Sequence, residues 1–162
     1  MVSDNTTEMV TALGNALRRK SWTVSSAESC TGGGIAFAFT SIAGSSDWFN
    51  QSWVTYSNDA KMRELAVKPE TLNAYGAVSL QTVEEMAAGV KHKSGANVVV
   101  TVSGIAGPGG GSEEKPVGTV WFGFICGEKQ ENIKQVFAGD REAVRLHAIE
   151  FAITYLLAML AD

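Results

Sequence analysis

The stretch Asn97–Val102, NVVVTV, constrains the fold more than any other part of the chain. A continuous β-branched run is the pattern of a strand buried on both faces, and such a strand needs helices above and below it. The flanking segments supply them. Residues 5–20 predict an amphipathic helix with Met9, Val10, Leu13 and Leu17 on one face. Strands are expected around residues 21–27 and 51–57, separated by an apolar helical stretch, 31–42, with three glycines near its start. Asn58 is placed to cap a short helix carrying Lys61, and Pro69 and Gly76 bound another. Ser79 caps a longer helix that reaches about Lys93 and stops at Gly95. Beyond the buried run and a glycine-rich loop, strands at 119–125 and 133–138 are joined at Gly127, and Asp140 caps a final helix to Ala161. This order predicts one domain, residues 1–162, built as a three-layer α/β/α sandwich on a mixed, mostly parallel sheet.

The topology locates a pocket. Helical crossovers make the first three strands parallel, with their carboxyl ends on one edge. No helix fits between Gly104 and Gly118, so the fourth strand returns antiparallel and the fifth runs in the original direction. The segments after Ala27, Ser57 and Val102 then meet the start of the last helix at one edge, where open α/β sheets bind ligands.

Bulk properties exclude several function classes. A net charge of -4 argues against a nucleic-acid partner, which needs a basic face. Two cysteines are too few for a disulfide framework and indicate a reducing compartment. The N-terminus MVSDNTTEM lacks the pattern of a signal peptide, and the apolar stretch Phe151–Ala161 falls short of the ~20 residues a bilayer requires. His92 and His147, the only histidines, have no ligand-spaced partners, so no metal is expected.

Four segments carry polar groups to the expected edge. In AESCTGGG, Ser29 sits where a strand becomes a helix, and free N–H groups at a helix start suit a developing oxyanion. A serine there can equally act as a helix cap. Cys30 is a rival nucleophile, with packing as the usual fate of a lone cysteine. In VTYSNDAK, a desolvated Lys61 beside a serine could act as a general base; otherwise it is a solvated lysine. SGIAGPGGGSEEKP could offer N–H groups to an anion, although it matches no phosphate-loop fingerprint. In GDREAVR, Arg141 and Arg145 lie one turn apart at a helix start, either as an anion site or as surface charges balancing Asp140 and Glu142.

AESCTGGG, IAGSSDWF, VTYSNDAK, GAVS, SGIAGPGGGSEEKPVGTVWF and GDREAVR, in this order and spacing, closely resemble the CinA C-terminal domain family across essentially the whole chain. The stand-alone bacterial members are nicotinamide-nucleotide amidases, converting nicotinamide mononucleotide and water to nicotinate mononucleotide and ammonia. The resemblance therefore implies a cytosolic, homo-oligomeric enzyme of pyridine nucleotide recycling, a homodimer or larger, that needs no metal or other cofactor and no membrane. It implies Ser29 as nucleophile and Lys61 as base. Cys30, Thr31, Gly32, Ser103 and Gly104 become candidates for the oxyanion and substrate, Tyr56 for the pyridinium ring, and Gly107, Arg141 and Arg145 for the phosphate. Because family members occur fused to other domains and were linked to competence, the alternative is a nucleotide-binding regulatory module without catalysis.

Overall fold

A computed structural model describes residues 2–161. Its elements run α1 (Asp4–Lys20), β1 (Val24–Glu28), α2 (Gly34–Phe39), β2 (Phe49–Val54), α3 (Asn58–Leu65), α4 (Pro69–Tyr75), α5 (Leu80–Ser94), β3 (Val98–Gly104), β4 (Thr119–Cys126), β5 (Lys129–Val136) and α6 (Arg141–Leu160). The strands form one sheet in the order β2-β1-β3-β4-β5. β1 pairs in parallel with β2 and β3, whereas β4 is antiparallel to both β3 and β5. The sheet is therefore mixed, with β4 alone running against the other strands.

β3 shows why the buried run needs two helical layers. Val98, Val100 and Val102 pack into a core shared with α1, α2 and α6, and Val99 packs into a second core with α3, α4 and α5. Thr101 faces the second layer too, where its Oγ1 donates to Val83 O of α5 at 2.7 Å. This pairing removes the cost of burying a hydroxyl in an apolar layer.

Several boundaries differ from the sequence expectation. α2 starts at Gly34 rather than at residue 31, because Gly32 and Gly33 take positive φ of 59° and 99°, a turn geometry that L side chains disfavour. β2 begins two residues earlier than expected and ends at Val54, so Ser57, not Asn58, caps α3, its side chain accepting from Ala60 N at 3.0 Å. β5 starts at Lys129, four residues before the expected Ile133. It pairs on one side only and its first residues are polar, so hydrophobic alternation gave no signal there. α6 has 20 residues and is long and apolar enough to cross a membrane, which the stretch Phe151–Ala161 alone is not. It is nevertheless a core helix, with Val144, Ala148, Ala152, Ile153 and Leu156 fully buried.

Candidate active site

The carboxyl edge of the sheet holds a cleft of about 290 Å³. Each expected segment contributes to its wall: Ser29 and Cys30 after β1, Tyr56, Asn58 and Lys61 after β2, Ser103 and Gly104 at the end of β3 with Gly107 beyond it, and Arg141 at the start of α6. Ser29 N donates to Val102 O at 3.0 Å, and Thr55 N donates to Glu28 O at 2.9 Å. The strand ends are thus locked together next to the cleft.

Lys61 is buried, with 1% of its surface exposed. Its Nζ lies 3.1 Å from Ser29 Oγ, 2.9 Å from Thr55 O and 3.4 Å from Tyr56 O. Burial holds the amine well below the usual lysine range, at about 8. A neutral amine has two hydrogens and one lone pair. In the structure, Nζ donates to Ser29 Oγ and the Ser29 hydroxyl donates to Tyr56 O at 3.4 Å; once the amine is neutral, with its hydrogens on the carbonyls of Thr55 and Tyr56, its lone pair is free to accept from Ser29 instead. Burial acts oppositely on Cys30, pushing its thiol up to about 11. The thiolate that a rival nucleophile would need is therefore disfavoured, and Cys30 is a buried residue of the cleft wall.

The helix N-terminus itself differs from expectation. The first-turn N–H groups of α2 are not free: Ile35 N donates to Glu28 Oε1 at 2.8 Å and Ala36 N to Oε2 at 3.0 Å. Thr31 Oγ1 donates to the same carboxylate, and Thr31 is completely buried. Thr31 and Gly32 line a separate, larger groove between the starts of α1 and α2 and the side of α6, not the cleft with Ser29.

The two arginines also part company. Arg141 stands in the cleft wall, where Nη1 donates to Gly107 O at 2.7 Å and Nη2 to Tyr56 Oη at 3.1 Å. Arg145 lies behind the serine turn, Nε donating to Cys30 O at 3.1 Å and Nη2 to Thr31 O at 3.3 Å. It borders a neighbouring depression together with Arg141. Among the described residues no group of three His, Cys, Asp or Glu side chains could hold a metal ion.

Sequence reasoning missed Glu28, which reads as an ordinary strand-end carboxylate, and the cleft residues Asn58, Ala77, Val78 and Ile105. A signal existed for Ala77 and Val78, which lie in the quoted GAVS segment. Glu28 likewise lies in the quoted AESCTGGG segment, but its partners at residues 31, 35 and 36 follow no strand or helix spacing, so its role was not readable there.

Comparison with known proteins gives a consistent picture. The model of the CinA C-terminal domain matches residues 6–160. The nicotinamide-nucleotide amidohydrolase PncC of Enterobacter agglomerans is 59% identical over 147 residues, covering 90% of each chain. The protein of that name from Escherichia coli K12 is 51% identical over 146 residues, covering 89% of this chain and 88% of its own. A crystal structure of a competence-damaged protein (CinA) superfamily member from Klebsiella pneumoniae superposes with a TM-score of 0.93 at 39% identity, covering 98% of this chain and 99% of the other.

Proposed function

The chain belongs to the CinA C-terminal domain family, and on that premise we propose that it is a nicotinamide-nucleotide amidase, hydrolysing nicotinamide mononucleotide to nicotinate mononucleotide and ammonia. The observation that carries this reading is the buried Lys61 amine 3.1 Å from Ser29 Oγ. A lysine with a depressed pKa beside a serine hydroxyl is a nucleophile with its own base, and such pairs perform acyl transfer without a histidine.

In the proposed reaction, Ser29 Oγ attacks the carboxamide carbon as its proton passes to Lys61 Nζ. The tetrahedral oxyanion is held by the backbone N–H of Cys30, with Ser103 beside it in the cleft wall. Lys61 returns the proton to the departing nitrogen, which leaves as ammonia, and an acyl ester remains on Ser29. Water, deprotonated by Lys61, hydrolyses that ester and restores the serine. Tyr56, 61% exposed at the cleft mouth, offers its ring to the pyridinium. Arg141 and Gly107, both in the cleft wall, take the ribose phosphate in this reading. The reading keeps the reaction independent of metal and places it in the cytosol, carried out by a homo-oligomer.

Incubating the purified protein with nicotinamide mononucleotide and separating the nucleotides by chromatography tests it. Stoichiometric appearance of nicotinate mononucleotide is expected. Tight binding without conversion would replace the enzyme with a nucleotide-sensing module.

A further inference from the structure

Glu28 is the last residue of β1 and is fully buried. Burying a carboxylate is costly unless its lone pairs are satisfied. Here three donors converge on it: the Thr31 hydroxyl and the N–H groups of Ile35 and Ala36. Gly33, the N-cap of α2, has no side chain to cap the helix, so Glu28 does so from five residues upstream. The chain between the carboxylate and the helix it caps is the turn that bears Ser29.

The turn is held from its other side as well. The carbonyls of Cys30 and Thr31 accept from Arg145, and Gly32 N closes the turn onto Ser29 O at 3.0 Å. An anion thus holds the hydroxyl and helix N–H groups, and a cation holds the carbonyls. Because a trans peptide sets its C=O and N–H in opposite directions, fixing the carbonyls also fixes where the intervening N–H groups point.

We propose that Glu28, acting through Thr31 and the first turn of α2, is a positioning residue that keeps Ser29 within reach of Lys61 and orients the peptide groups around it. The inference rests on Ser29 being the nucleophile of the proposed amidase. Glu28 touches no reacting atom. Its contribution is geometric, and small displacements of a nucleophile are expensive, with a misplacement of about 1 Å costing up to roughly 100-fold in rate.

Two sets of variants test this in the full chain. Glu28→Gln preserves side-chain length but puts an NH2 donor where one of three donors must find an acceptor. With nicotinamide mononucleotide as substrate, kcat should fall roughly 10- to 100-fold while KM stays within about twofold, in protein whose melting curve remains cooperative. Thr31→Val, which keeps the shape and loses the hydroxyl, should lower kcat in the same way, and Thr31→Ser, which loses the methyl and keeps the hydroxyl, should restore it. A folded Glu28→Gln protein with wild-type kcat, or one whose loss lies in KM, would overturn the proposal. So would a Thr31→Ser protein as impaired as Thr31→Val, since that pattern reports packing rather than the carboxylate contact. If Glu28→Gln fails to fold, the Thr31 pair decides alone. A wild-type chain without turnover contradicts the amidase reading, whereas variants that match an active wild type contradict only the positioning role.

Discussion

Lys61 concentrates the chemistry in one side chain. Its amine is buried and titrates near 8 rather than 10.5, so the base form appears within reach of neutral pH. If it deprotonates Ser29, kcat/KM should rise with pH and level off above about 8, and a profile flat from pH 6 to 9 would remove Lys61 from the role of base. The same shift has a sign for stability. Between about 8 and 10.5 the unfolded chain holds a proton that the folded chain has released, so stability rises with pH across that window. Below it the burial penalty is present in full. Relative to Lys61→Met, the wild type should therefore gain about 2 kcal/mol in unfolding free energy from pH 7 to pH 9.5, measured by denaturant titration. Ser29 and Lys61 were legible as candidates because each stands in a short polar segment after a strand. Glu28 was not, because its role depends on three donors that meet only in the folded turn.

Among the elements, the strands and helices that flank the cleft were read from periodicity and caps, and the two arginines show where such reading stops. Spacing puts Arg141 and Arg145 on neighbouring turns of α6, but a helix face does not say what lies opposite each residue. Arg141 reaches Gly107 and Tyr56 in the cleft, while Arg145 holds the turn after Ser29. Of the two arginines expected at the phosphate, the proposed contact accordingly keeps Arg141. Losing a charge-assisted contact of about 1.5–3 kcal/mol should lower kcat/KM for nicotinamide mononucleotide by roughly 10- to 150-fold in Arg141→Ala. The phosphate-free riboside should be nearly unaffected. Arg145→Ala should impair both substrates alike. The reverse pattern, with the phosphate-selective loss at Arg145, would assign the contact to Arg145 instead. The glycines after Ser29 carry a similar lesson. They looked like the start of a helix open to a substrate, yet they form a turn whose following helix is capped from within.

At the scale of the whole molecule, the sheet separates two cores, and the cleft lies at its edge rather than inside either one. Stability and chemistry should therefore be separable. Leu156→Ala, at a fully buried site on α6 far along the helix from Arg141, should cost about 2–5 kcal/mol while the folded fraction keeps its kcat. A loss of kcat at temperatures where the variant is fully folded would show that the α6 layer is coupled to the site. The parallel crossovers made the edge legible before any side chain was placed, because chain direction alone brings three strand ends together. Whether this edge assembles a serine nucleophile with a lysine base is read from ammonia release from nicotinamide mononucleotide by wild type, Ser29→Ala and Cys30→Ala. Turnover is expected from the wild type, with a loss on the order of 10³-fold or more in a normally folded Ser29→Ala and much of the activity retained in Cys30→Ala. An active Ser29→Ala beside a dead Cys30→Ala would contradict the serine as nucleophile.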